Sequence, residues 1–158
     1  MKFLFDLGGV FFDWDPNYFF KDIFEKDDER KYFLTEVCND EWNIQQDAGR
    51  TIKEAESVLI PKFPQYEKEI KMYYSNHRRM IKGTFTSSIK VLDKLKKQNY
   101  ECYVLSNWSA ETFVGMTDDY PFLQLFDGLL ISGEDNLMKP DAAIYELAIS
   151  RFNLIAQE

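Results

Sequence analysis

The chain has 158 residues, two cysteines and a formal net charge of −8. That length suffices for the core of one domain without staples, while so acidic a balance excludes a protein that holds nucleic acid through its overall field. Cys38 and Cys102 stand far apart, so neither a metal cluster nor a disulfide framework is expected. No signal sequence opens the chain and no stretch approaches a membrane-spanning length, so a cytoplasmic protein with free thiols is the expectation.

In chain order, the first element is an apolar run, Lys2-Phe3-Leu4-Phe5, that ends in Asp6-Leu7-Gly8-Gly9-Val10. It is too short for a helix and is bounded by a glycine turn, which reads as a buried parallel strand. Asp6 then stands at the carboxyl end of that strand, where ligands of such folds sit. Gly8 and Gly9 allow a tight turn and close backbone approach. Asp15-Pro16-Asn17 marks a turn or a helix start, and turn-forming or capping roles are expected for Asp13 and Asp15. From there to about Gly83 apolar residues recur at helical spacing and no strand is expected, with Pro61 and Pro64 breaking the helices and a further helix predicted over 70–81.

Ser87 or Ser88 is expected to cap a helix carrying Ile89, Val91, Leu92 and Leu95, closed by Asn99. The segment 101–105 reads as a second strand ending in Ser106-Asn107, and 126–131 as a third. Between them a short helix over 110–116 is predicted, capped by Ser109. A loop carrying Lys139-Pro140-Asp141 leads into a last helix over 142–152. This alternation argues for an α/β fold with a parallel sheet and right-handed crossovers, interrupted by a helical insertion after the first strand.

All strands of a parallel sheet point one way, so Asp6, Ser106 and Lys139 converge on one crevice. Singly, Ser106 has an ordinary reading as a cap and Lys139 as a surface lysine; three together do not. Asp6 suits a nucleophile that forms a covalent intermediate. Ser106 suits a hydrogen-bond donor to an anionic oxygen, and Lys139 a neutraliser of charge on nucleophile and transferring group. His77 and the basic group Lys68, Lys71, Arg78, Arg79 and Lys82 are expected on a solvated helical face. In the stretch 41–50, Trp42 is expected to pack within the helical block, with a substrate-facing surface as the rival reading.

With these motifs in place, the sequence resembles the haloacid dehalogenase-like (HAD) hydrolase superfamily, its phosphatase members in particular. The first motif is Phe5-Asp6-Leu7-Gly8-Gly9-Val10, the second Val104-Leu105-Ser106-Asn107, and the third Lys139-Pro140-Asp141; Phe126-Asp127 and Ser132-Gly133-Glu134 also resemble the third-strand region. The resemblance implies a three-layer, Rossmann-like core over 1–15 and 84–158, with an all-helical cap over 16–83. It implies a phosphatase acting on a small phosphorylated metabolite through an aspartyl phosphate, with Asp6, Ser106 and Lys139 catalytic. Ser106, Asn107 and Lys139 would bind substrate, and Asp6 and the Gly8 carbonyl would hold Mg²⁺.

Two departures qualify it. Gly8 stands where most of the family's phosphatases carry a second Asp that protonates the leaving alcohol, although a subgroup resembling sugar-phosphate phosphatases shares the glycine. The fourth motif, an acidic pair that completes the Mg²⁺ site, is not reached before Glu158. The sequence therefore predicts a core incomplete at its C-terminal side, an open edge on the first strand, and weak or absent Mg²⁺ binding if the chain ends there. A metal-independent 2-haloacid dehalogenase and a non-catalytic phosphate binder are the alternatives.

Overall fold

The computed structural model describes residues 1–155, so the last three residues of the expected core segment 84–158 lie outside the described residues. Among the described residues the strands are β1 (Lys2–Phe5), β2 (Phe12–Trp14), β3 (Ile81–Thr84), β4 (Glu101–Ser106) and β5 (Gly128–Ile131). Three of them form a parallel sheet in the order β1-β4-β5, with Phe5 opposite Val104 and Ser106 opposite Ile131. The parallel α/β core expected from the alternation is present.

β4 explains the three layers. Its successive side chains point to opposite faces, and both faces are covered, as a central parallel strand requires. Cys102 and Val104 join a cluster with Leu7, Phe11, Phe12 and Ile131, against which Leu92 of the helix Thr86–Lys97 packs. Tyr103 and Leu105 join Leu130 and the helix Ala142–Phe152 through Ile144, Ala148 and Phe152 on the other face. Tyr103 stacks on Phe152 with ring centroids 4.5 Å apart, leaving no room at the adjacent Gly128, where a Cβ would fall 2.7 Å from the Phe152 ring. β1 is less buried than its apolar run predicts. β4 flanks it on one side, and Leu4 is 40% exposed.

The helical insertion has a core of its own, built from Phe19, Phe20, Phe33, Val37, Trp42, Ala55, Leu59, Ile70, Tyr73, Tyr74 and Met80. Its main helices are Asp40–Asp47, Ile52–Leu59 and Glu67–Ser75. Local signals fix their starts: the Asn39 side chain accepts from the Trp42 N–H, and Thr51 and Glu54 form a reciprocal capping box. A buried chain of hydrogen bonds ties the first helix to the third, with Gln46 Nε2 donating to Tyr74 Oη at 2.6 Å and Tyr74 Oη donating to Asn43 Oδ1 at 2.8 Å.

Three expectations fail here. The helix predicted over 70–81 ends at Ser75; a short 3₁₀ turn follows (His77–Met80), and then β3, in a stretch where no strand was expected. β3 pairs antiparallel with β2, Phe12 opposite Thr84 and Trp14 opposite Ile81. A pairing between segments so distant in sequence leaves no local periodicity to read. Both chain crossings between core and helical block run through this ribbon. Ser87 and Ser88 are not caps either: the helix Thr86–Lys97 starts from Phe85 with no side-chain cap, although Asn99 does close it at φ +61°. Asp15 does cap, its Oδ1 accepting from the Asn17 N–H at 2.7 Å, while Asp13 Oδ1 accepts from Tyr18 Oη at 2.8 Å. No helix among the described residues is long and apolar enough to cross a membrane.

Candidate active site

Asp6 follows β1 directly. One of its carboxylate oxygens accepts from the Leu7 N–H at 2.8 Å, and the other lies 2.6 Å from Lys139 Nζ. Beyond it the chain folds into a tight turn in which the N–H groups of Val10, Phe11 and Phe12 all converge on the Leu7 carbonyl. Gly9 sits at φ +69°, which favours glycine. At Gly8 a Cβ would meet nothing within 4 Å among the described residues, so the turn after Asp6 is open on that side.

Ser106 ends β4, beside β1 in the sheet. It is 1% exposed, and its Oγ has no hydrogen-bond partner among the described residues. Leaving a buried hydroxyl unpaired costs about 1–3 kcal/mol, a cost that an anionic ligand oxygen would remove. Asn107 is committed differently. Its Nδ2 donates to the Lys139 carbonyl at 3.0 Å and its Oδ1 accepts from the Lys139 N–H at 2.8 Å, so the amide sets the position of Lys139. The exits of β4 and β5 are locked together in turn: the Trp108 N–H donates to Ser132 Oγ at 2.9 Å, and the Gly133 N–H donates to the Trp108 carbonyl at 3.1 Å.

A cavity of about 170 Å³ opens beside the turn, between core and helical block. The core contributes Gly8, Gly9, Trp14, Asn107, Trp108, Ser109 and Thr112; the helical block contributes Asn43, Asp47, Tyr74 and His77. Of these, sequence reasoning named only Gly8, Gly9, Asn107 and Ser109 in roles at or near the site, and treated 41–50 as packing first. Trp42 does pack, 7% exposed with its Nε1 donating to the Ala55 carbonyl, but its helix neighbours Asn43 and Asp47 face the cavity.

His77 overturns an expectation. It does not lie on a solvated face: its ring is held near Trp14 and Trp108, with centroids 6.1 and 5.7 Å away, and its Nδ1 is buried with no hydrogen-bond partner among the described residues. Burial first, and the Arg78 charge second, push its pKa down to about 4, so the ring is neutral at pH 7. The basic group disperses as well. Lys71 pairs with Glu67, as a solvated face requires, but Arg78 reaches the core, donating to Asp119 Oδ2 at 2.9 Å, the Thr112 carbonyl at 2.5 Å and the Val114 carbonyl at 2.6 Å. Asp47 is the other perturbed group: burial pushes its pKa up to about 7, opposed by a hydrogen bond from the Ser109 main chain.

Among the described residues no three His, Cys, Asp or Glu side chains cluster as metal ligands. What the turn offers is a carboxylate oxygen of Asp6 and the Gly8 carbonyl, which the converging N–H groups of the turn leave unengaged. Two hard oxygen donors fit a Mg²⁺ that keeps several of its waters.

Residues 4–158 match the family model of the haloacid dehalogenase-like hydrolases, and the chain belongs to that family. It is a hydrolase of the HAD type by that membership. No curated protein sequence matches it. Among solved structures it is similar to a HAD family enzyme from Bacteroides thetaiotaomicron, at 22% identity over 99% of this chain and 80% of that one, with a TM-score of 0.71. The same enzyme in complex with magnesium and inorganic phosphate gives 21% identity over 97% and 79%, with a TM-score of 0.67. An L-2-haloacid dehalogenase from Xanthobacter autotrophicus, with chloropropionic acid covalently bound, gives 12% identity over 98% and 65%, with a TM-score of 0.60. At these identities the likeness concerns the fold, which phosphate-binding and dehalogenating proteins share.

Proposed function

We propose that the protein is a Mg²⁺-dependent phosphatase of a small phosphorylated metabolite. The observation that carries this reading is the Asp6–Lys139 pair at 2.6 Å, set beside a buried Ser106 hydroxyl with no partner among the described residues. A carboxylate, an ammonium and a free hydroxyl donor suit a tetrahedral anion that is attacked in line.

In this reading Asp6 attacks phosphorus and becomes an aspartyl phosphate, which water then hydrolyses. Ser106 Oγ and the main chain around Asn107 bind phosphoryl oxygens, and the Asn107 amide holds Lys139 where its charge balances that of the transferring group. Asp6 and the Gly8 carbonyl would hold Mg²⁺, which when bound neutralises charge on the phosphoryl group. Residues 1–15 and the described part of 84–158 make up the core domain, and residues 16–83 act as a cap that closes over the cavity and excludes water.

A 2-haloacid dehalogenase remains the second reading, favoured by one observation: Gly8 brings no acid, and displacement of halide needs none. Release of phosphate from a panel of phosphorylated metabolites, in the presence of Mg²⁺ and abolished by chelation, supports the phosphatase. Release of chloride from 2-chloropropionate without metal, and no phosphate release, overturns it. Lys139→Met is expected to lower kcat by about 10²–10³-fold, the usual effect of deleting one electrostatic stabiliser, with a smaller change in KM. Steady-state kinetics on the best substrate checks it.

A further inference from the structure

The cavity holds one acid that the chemistry above leaves idle. Transfer of the phosphoryl group to Asp6 releases an alkoxide, and Gly8 has no side chain to protonate it. Asp47 lines the same cavity as Gly8, Asn107 and Ser109.

Asp47 comes from the helical block, yet it is fixed to the core. Its carbonyl accepts from Ser132 Oγ at 2.6 Å, and that hydroxyl oxygen accepts from the Trp108 N–H. Just past it Gly49, at φ +99°, lies so close to Asn136 that a Cβ would fall 1.9 Å from Asn136 Oδ1. The acid is therefore held in register with the loops after β4 and β5. Among the described residues its carboxyl has no cationic partner.

We propose that Asp47 is a further catalytic residue, the general acid that protonates the leaving oxygen; this rests on the phosphatase reading. In the first half-reaction the bond from Asp6 to phosphorus forms, the bond from phosphorus to the ester oxygen breaks, and the Asp47 proton passes to that oxygen, releasing a neutral alcohol. In the second, the Asp47 carboxylate takes a proton from the water that attacks phosphorus. Inorganic phosphate leaves, the Asp6 carboxylate is restored, and Asp47 again carries its proton.

The surroundings suit this role. Tyr73 and Tyr74, from the helix Glu67–Ser75, have pKa values raised by burial and stay neutral, and His77 from the following turn is neutral at pH 7. Arg50, just beyond the acid's own helix, spends its guanidinium on Gln46 Oε1 at 2.7 Å and the Trp42 carbonyl at 2.9 Å. On the core side the Ser109 main chain hydrogen-bonds Asp47, and the charged groups of the site, Asp6 and Lys139, pair with each other. A carboxyl that titrates at about 7 is half protonated at neutral pH, where an acid that must later serve as a base works best.

The test compares Asp47→Asn with the parent protein on p-nitrophenyl phosphate, whose leaving group needs no proton, and on alkyl phosphates such as glycerol phosphate and glucose 6-phosphate, whose leaving groups do. The expected result is a loss of about 100-fold in kcat/KM, which reports the first half-reaction, on the best alkyl ester, with kcat/KM on the aryl ester changed by less than about threefold. On both esters kcat falls, because the second half-reaction loses its base. For the parent, kcat/KM on the alkyl ester should fall as pH rises through about 7, and the variant should lack that fall. Asp47→Glu should recover part of the alkyl activity, and it carries the test if the Asn variant does not fold. Equal losses of kcat/KM on both esters, or no loss of kcat/KM on the alkyl ester, overturn the proposal. No phosphate release by the parent from any ester removes the phosphatase reading itself, and this inference with it.

Discussion

Asp6→Asn is expected to abolish turnover, by about 10⁵–10⁶-fold, the scale seen when a nucleophile is deleted. The amide has the shape of the carboxylate but lacks the nucleophilic oxygen that the proposed acyl phosphate requires. The fold should survive, because the pair being broken is only partly buried, with side chains 43% and 20% exposed. Such pairs contribute about 0–1 kcal/mol. The Leu7 N–H keeps an acceptor, since an amide oxygen can replace the carboxylate oxygen it uses now. Initial rates and a thermal melt on the same preparation check both halves. A variant that keeps even a hundredth of parental activity would place the nucleophile elsewhere. A protein with no turnover to lose, whose variant and parent both bind phosphate, would be the non-catalytic binder instead.

Gly133→Ala should be the most damaging single methyl in the chain's core. The added Cβ would lie 2.4 Å from the Ala110 nitrogen, 2.8 Å from the Trp108 carbonyl oxygen and 3.1 Å from the Ser109 carbonyl carbon. All three are backbone, so no flexible side chain can swing aside, and overpacking of this kind costs about 3 kcal/mol. In a chain of this size that lowers the melting temperature by roughly 6–12 °C. The displaced segment is the loop that carries Asn107 and Trp108, so turnover of the hydrolase's substrate should fall with stability. Gly83→Ala is the control. A Cβ there meets nothing within 4 Å, and its melting temperature should stay within about 4 °C of the parent. Equal melting temperatures for the two variants would mean that the β4 and β5 exits can separate at little cost.

The sequence exposed what depends on strand ends. That Asp6, Ser106 and Lys139 come to one edge of the sheet was legible because Asp6 and Ser106 lie at the ends of short apolar runs and Lys139 lies in the loop beyond a third, and parallel strands bring their ends together. The helices Thr86–Lys97 and Ala142–Phe152 were legible by periodicity. What stayed hidden depends on how distant segments dock. β3 has no local signature, since its partner β2 lies on the far side of the helical block. His77 beside Arg78 and Arg79 read as a charged face because nothing in the sequence says that Arg78 crosses to Asp119 and the Thr112 and Val114 carbonyls, drawing the histidine toward Trp14 and Trp108. Asp47 stood in a polar stretch whose orientation is set by burial of Trp42 and Gln46, and a single sequence does not state which of its residues are left facing inward. Asn107 was expected beside Lys139 at the strand ends, but its use as a clamp on the Lys139 main chain was not legible.

The β2–β3 ribbon bears on how the chain finds this structure. β1 pairs with β4 across nearly a hundred positions, from Lys2 opposite Glu101 to Phe5 opposite Val104, and closing so long a loop is entropically slow. Residues 15–80 form an uninterrupted segment with a core of its own, and the ends of that segment meet where Trp14 lies opposite Ile81. If the segment collapses first, it zips the ribbon and shortens the effective loop between β1 and β4 to the ribbon plus one helix. The insertion then acts as a folding shortcut for the sheet into which it is spliced. Substitutions in its interior, such as Phe33→Ala, would slow formation of the β1–β4 pair even though they touch neither strand.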